Sequence, residues 1–198
     1  LPVGPGPHGE RALVFVASMD SEANQDGALY FLDQVLPLIR ARRQGVTVWL
    51  VGRQPPEMLR ARHDGREVFV TGQVDSVEPY YRQAEVAIVP LRSGGGTRLK
   101  ILEAMALGVP VVSTTVGAEG IELETGRHAL LADSPEAFAA AIERLLGDVD
   151  LQHGISLAAR QQAQERYDWA GIGCIQDEVH RLALASRAAD TTRISRTQ

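Results

Sequence analysis

The chain has 198 residues, of which 44% are hydrophobic and 23% charged, and its formal net charge is −5 at pH 7. That length suits one domain with a sizeable core, and the acidic balance argues against a nucleic-acid binder, which would carry a basic stripe. Cys174, the one cysteine, excludes an internal disulfide and a multi-thiolate metal site, and every apolar run is far shorter than the ~18 residues a membrane span needs. With no signal peptide visible, the default expectation is a soluble cytoplasmic domain.

Residues 1–10 are rich in proline and glycine and read as a linker or frayed terminus. Residues 13–17 form a continuous apolar run, as expected of a strand buried on both faces. Asp26 is placed to cap a helix running to about Arg43, with Leu29, Leu32, Leu36 and Ile39 on one stripe. Pro37 inside it predicts a kink or a break, and the basic run Arg40-Ala41-Arg42-Arg43 closes it and complements its dipole. Further strands are expected at 46–51, 67–71, 86–89, 110–113 and 129–131. Between them fall a short helix opened by Pro55-Pro56, another at 77–83 capped by Asp75, and one at 97–107 that Thr97 opens and Gly108 closes. Helices at 135–146, 151–166 and 169–185 complete a body spanning 11–185, and the polar residues 186–198 read as a mobile tail.

Strands that alternate with helices and are apolar on both faces imply an α/β fold with a parallel, doubly wound, Rossmann-like sheet. Ligands of such sheets bind beyond the carboxyl ends of the strands, so the loops after Ala17, Gly52, Gly72, Leu91 and Thr114 should line a site.

One of those loops carries the densest signal, Gly94-Gly95-Gly96-Thr97-Arg98-Leu99-Lys100-Ile101-Leu102-Glu103. Glycines let backbone approach a ligand closely, and the N–H groups at a helix start favour phosphate. Lys100 and Glu103 lie roughly 60° apart on the same helix face, the amine suited to a diphosphate and the carboxylate to ribose hydroxyls. Arg98 lies roughly 160° from Lys100 by the same geometry, and whether it reaches a ligand from the first turn stays open. A tight turn with an exposed glutamate behind it is the plainer alternative.

These residues resemble the C-terminal, donor-binding half of the GT-B glycosyltransferases, in particular the retaining family called group 1 or family 4. The resemblance runs from about residue 12 to 184. It includes Tyr30-Phe31-Leu32, Val51-Gly52-Arg53, Val70-Thr71-Gly72-Gln73-Val74-Asp75, Val89-Pro90-Leu91 and Gly117-Ala118-Glu119-Gly120. It implies one half of a two-domain architecture and transfer of a sugar from a nucleoside-diphosphate sugar to an acceptor hydroxyl. No cofactor or bound metal is implied. An N-terminal acceptor-binding domain carrying a catalytic histidine or its equivalent would be the partner, and any contact with a membrane surface would run through it. No catalytic residue is identified in this chain, which alone is expected to bind donor weakly and transfer nothing.

By the resemblance, Glu103 matches the second member of a Glu-x7-Glu pair and holds the ribose, while Gly95 stands where the first, sugar-contacting glutamate would be. The loop Ser18-Met19-Asp20-Ser21-Glu22-Ala23-Asn24-Gln25-Asp26 lacks the arginine and lysine many members place there, which leaves Lys100 as the main phosphate cation. Asn24 aligns with an asparagine common in one subgroup, with loop closure as its other reading. Arg53, Gln73 and Val74 fall where the nucleobase rests. Two other readings remain, a GT-B sugar-nucleotide epimerase and a nucleotide-binding or assembly module without catalysis.

Other patterns carry less. Asp148-Val149-Asp150 matches the Asp-x-Asp metal motif of the other major glycosyltransferase fold, but between two helices aspartates cap. The histidines at 8, 63, 128, 153 and 180 show no metal-site spacing. Neither a P-loop nor a dinucleotide fingerprint is present, and Trp169 reads as a packing anchor.

Overall fold

The computed structural model describes residues 11–167. The chain divides into a first unit that ends at Gln161 and a second that begins at Gln162. The expected linker 1–10, the helix over 169–185 with Trp169 and Cys174, and the tail 186–198 lie outside the described residues.

Six parallel strands form one sheet in the order β3-β2-β1-β4-β5-β6. They are β1 (Ala12–Val16), β2 (Thr47–Val51), β3 (Val68–Val70), β4 (Val86–Val89), β5 (Val111–Ser113) and β6 (Leu130–Leu131). The helices are α1 (Glu22–Tyr30), α2 (Leu36–Arg42), α3 (Glu57–Arg60), α4 (Glu78–Gln83), α5 (Leu99–Ala106), α6 (Pro135–Gly147) and α7 (Val149–Tyr167). The doubly wound parallel sheet expected from the sequence is what forms.

Burial explains the order. Leu13, Phe15, Val48, Leu50, Val51, Val86, Val111 and Val112 are fully buried, which only a sheet covered on both faces allows. The stripe Ile101, Ala104 and Met105 seats α5 on β4 and β5. Phe138 of α6 meets Phe31 edge to face at 6.1 Å; each such ring contributes about 1.5–3 kcal/mol of burial.

Three helix starts differ from expectation. The first helix begins at Glu22 after Ser21, so Asp26 lies inside it and pairs with Arg92 instead of capping. The kink or break expected from Pro37 takes the form of a π-helical turn, Phe31–Val35, just ahead of it. Proline has no N–H for the carbonyl four residues back, and a wider turn accommodates the loss. Asp75 does not cap α4: Ser76 Oγ accepts from the Glu78 N–H at 3.2 Å. Likewise Thr97 does not cap α5, which starts at Leu99 with Arg98 in the cap position. At its other end Gly108 and Val109 donate to the Met105 and Ala104 carbonyls, the paired bonds of a glycine-closed helix.

The basic run at the end of α2 does more than face the helix dipole. Arg42 pairs with Glu143, Arg40 with Glu67, and Arg43 donates to the Leu146 carbonyl at 3.2 Å near the end of α6.

Candidate functional site

The strand order reverses between β1 and β4, so the loops after these strands leave in opposite directions and open a crevice at the carboxyl edge. In a doubly wound sheet that is where a ligand sits. The loop after β1 leads into α1, and the glycine loop after β4 leads into α5.

Lys100 and Asn24 meet across this crevice. Lys100 Nζ donates to Asn24 Oδ1 at 2.7 Å and stands 4.8 Å over the Phe15 ring, on β1. Asn24 Nδ2 in turn donates to the Ser18 carbonyl at 2.8 Å, which ties the amine to the loop after β1. Burial beside Phe15, helped by the nearby Arg98 charge and opposed by Glu103, lowers the Lys100 pKa to about 8. The site therefore holds a cation that an arriving anion would stabilise.

Glu103 is an exposed residue one turn further along α5. Its carboxyl lies beside the buried Tyr81, whose hydroxyl donates to the Lys100 carbonyl at 3.0 Å. Partial desolvation raises the Glu103 pKa, with Tyr81 and Lys100 acting in the opposite direction. Burial raises the Tyr81 pKa, which keeps that hydroxyl a donor.

Gly94, Gly95, Gly96 and Thr97 are all exposed, and Gly94 packs so near Ala23 of α1 that a Cβ there would lie 2.9 Å from the alanine methyl. The φ angles of +104° at Gly94 and +102° at Gly96 are open to glycine and strained for other residues. Arg98 is buried against the backbone of the glycine loop. Its guanidinium, only 6% exposed, donates to the carbonyls of Gly94 at 2.7 Å, Val116 at 3.0 Å and, at the limit of a hydrogen bond, Gly95 at 3.5 Å. Glu119 approaches it at 3.9 Å. Arg98 thus spends its guanidinium on carbonyls of the loops after β4 and β5.

The loops after β2 and β3 extend the same edge. Gly52 lets the loops after β1 and β2 close on one another; at φ +149°, a Cβ there would stand 1.8 Å from the Ala17 carbonyl oxygen. The Met19 N–H donates to the Arg53 carbonyl at 2.9 Å, and Arg53 Nε to Ser18 Oγ at 2.8 Å. Arg53 also pairs with Asp20 at 3.8 Å. The Ser18 hydrogen bond, with Arg53 nearby, lowers the Asp20 pKa. A basic side chain therefore does lie against the loop after β1, supplied by the loop after β2. Local sequence hides it, because the two positions are 35 residues apart. Gln73 is exposed and Val74 half-buried, both at the carboxyl end of β3 on the outer edge of the sheet. From β3 to β4 is three strand spacings, roughly 14 Å.

Elsewhere the described residues do structural work. Asp148 Oδ1 accepts from the Leu151 N–H at 2.9 Å and caps α7. His63 Nδ1 accepts from the Val70 N–H and His128 Nδ1 from the Glu124 N–H, each at 3.1 Å. A cavity of about 340 Å³ lies between α6 and β6, lined by Leu130, Leu131, Ala137 and Ala141, away from the crevice. No group of three or more His, Cys, Asp or Glu side chains able to hold a metal occurs among the described residues, and no helix among them is long and apolar enough to cross a membrane.

Known proteins share this fold. The family model described as Glycosyl transferases group 1 matches residues 10–148. A phosphatidyl-myo-inositol mannosyltransferase of Mycobacterium leprae is 30% identical over 168 residues, covering 82% of this chain and 44% of that protein. The solved C-terminal domain of a glycosyl transferase group 1 family protein from Francisella tularensis superposes with a TM-score of 0.67 at 16% identity, covering 80% of this chain and 87% of that one. Sucrose-phosphate synthase from Thermosynechococcus elongatus gives 0.71 at 24% identity, covering 89% and 46%. The chain spans less than half the length of the first curated relatives it matches.

Proposed function

The chain belongs to the group 1 glycosyl transferases, and we propose that it forms the nucleoside-diphosphate-sugar site of such an enzyme. One observation carries this reading: a glycine loop and a half-buried lysine meet at the switch point of the sheet, with a glutamate one turn along the same helix. In this reading Lys100 and the free N–H groups of the loop take the diphosphate, and Glu103 takes the ribose hydroxyls. The base lies towards Arg53, Gln73 and Val74.

The chemistry assigned to these residues is charge stabilisation. Sugar transfer leaves negative charge on the departing diphosphate, and fixed donors beside it lower the barrier without reorganising. Glu103 holds the donor in register through a part that does not react. Transfer to the acceptor hydroxyl, with retention at the sugar carbon, is assigned to the complete enzyme. Its acceptor groups would come from a further domain.

Isothermal titration of the chain with UDP, GDP and ADP tests the reading. One diphosphate should bind, and Glu103→Ala should weaken it by about tenfold, the cost of a charge-assisted hydrogen-bond pair. Absence of binding by all three diphosphates to the wild-type chain at millimolar concentration would overturn the reading.

A further inference from the structure

We propose that Arg98 is a positioning residue that turns the glycine loop so that the N–H groups of Gly95 and Gly96 face the crevice as anion donors. The inference rests on the donor-site reading above and adds a residue that touches no ligand itself.

The geometry follows from the planarity of the peptide bond. In a trans peptide the C=O of one residue and the N–H of the next point in opposite directions. Arg98 holds the Gly94 carbonyl at 2.7 Å and contacts the Gly95 carbonyl at 3.5 Å. The N–H groups of Gly95 and Gly96 must then point away from the guanidinium. Both glycines are exposed, and neither N–H has an acceptor among the described residues. Gly94, at the start of the loop, lies against Ala23, next to the Asn24 that accepts from Lys100. Two outward donors and an ammonium thus share one crevice.

Arginine suits this task and lysine does not. A planar fork with five N–H groups can serve several carbonyls at once, and here it spans the loops after β4 and β5 by also holding the Val116 carbonyl at 3.0 Å. The loop after β5 is itself fixed. Asp133 accepts from the Thr115 N–H at 2.7 Å and from its hydroxyl at 2.8 Å, and Thr114 Oγ1 accepts from the Gly117 N–H at 2.8 Å. Arg98 therefore transmits the order of one rigid loop to a glycine run that has little of its own. Glycine pays heavily in backbone entropy when fixed, so this run needs an external clamp before it can bind tightly.

The test compares wild type, Arg98→Lys and Glu119→Gln by titration with the nucleoside diphosphate that binds and with the matching nucleoside. Glu119→Gln removes the ion pair and leaves the carbonyl bonds. We expect Arg98→Lys to lose about tenfold or more in diphosphate affinity, with nucleoside affinity within about twofold and Glu119→Gln near wild type. Adding guanidinium at low millimolar concentration to Arg98→Ala should restore part of the diphosphate affinity. The Gly95 and Gly96 amide resonances, assigned in wild type, should shift and broaden in Arg98→Lys while strand resonances stay in place. Equal diphosphate affinity in wild type and Arg98→Lys would overturn the role of Arg98 and leave the donor site standing. Equal losses for nucleoside and diphosphate would overturn it too, as general destabilisation. No diphosphate binding by wild type would remove the donor-site reading and this inference with it.

Discussion

Lys100 keeps its charge where charge is costly, beside an aromatic ring and within reach of Arg98. With its pKa lowered to about 8, the free amine loses its proton through the range just above neutrality. A diphosphate next to it would favour the charged form, so binding above that pKa requires proton uptake. Affinity is therefore full below pH 8 and falls as pH rises through it. Between pH 7 and 9, where phosphate itself has finished titrating, the wild-type Kd should weaken by about tenfold. Lys100→Met should bind weakly with a flat profile over the same range, as titration calorimetry at several pH values would read. A flat wild-type profile would remove the amine from the phosphate site. Stability has the opposite slope: the unfolded lysine holds its proton to higher pH, so the folded chain gains relative stability from pH 8 towards the normal lysine range. Much about this residue was legible beforehand, since spacing alone put Lys100 and Glu103 on one helix face. The course of Arg98 was not. A helical angle presumes a helix, and α5 begins one residue after it.

At the scale of elements, the site is assembled by loops that lock onto one another. The backbone bond from Met19 to Arg53 and the contact of Gly52 with Ala17 join the loops after β1 and β2. Gly52→Ala should be severely destabilising, because the new Cβ would fall 1.8 Å from a backbone oxygen at a φ that other residues avoid. A cost of about 3 kcal/mol or more is expected, and for a chain of this size it would lower Tm by roughly 6–12 °C in a thermal melt. An unchanged Tm would mean that the two loops are not in contact. The six strands were legible because their residues are apolar on both faces, a pattern few other structures tolerate. Helix starts were not, because the deciding contacts are distant. Asp26 looks like a cap in sequence but pairs with Arg92, and Ser18 meets its arginine from the loop after another strand.

Across the whole molecule, the groups assigned to base, diphosphate and ribose follow adjacent strands of one sheet, so a bound donor would touch the segments after β1 to β4. A ligand that fits only the assembled edge binds the folded state alone and must raise its stability by mass action. At a nucleotide concentration about 100 times Kd the gain is about 2.7 kcal/mol, which for a chain of this size raises Tm by roughly 5–10 °C. The increment should grow with the logarithm of concentration for the diphosphate that binds and shrink sharply in Lys100→Met. No transfer to an acceptor should accompany it, since the proposed function assigns the acceptor groups to a further domain. A melt that ignores all three diphosphates would remove the carboxyl edge as the binding surface. A melt that responds equally to nucleoside and diphosphate would keep the edge but move the affinity away from the glycine loop, towards Arg53, Gln73 and Val74.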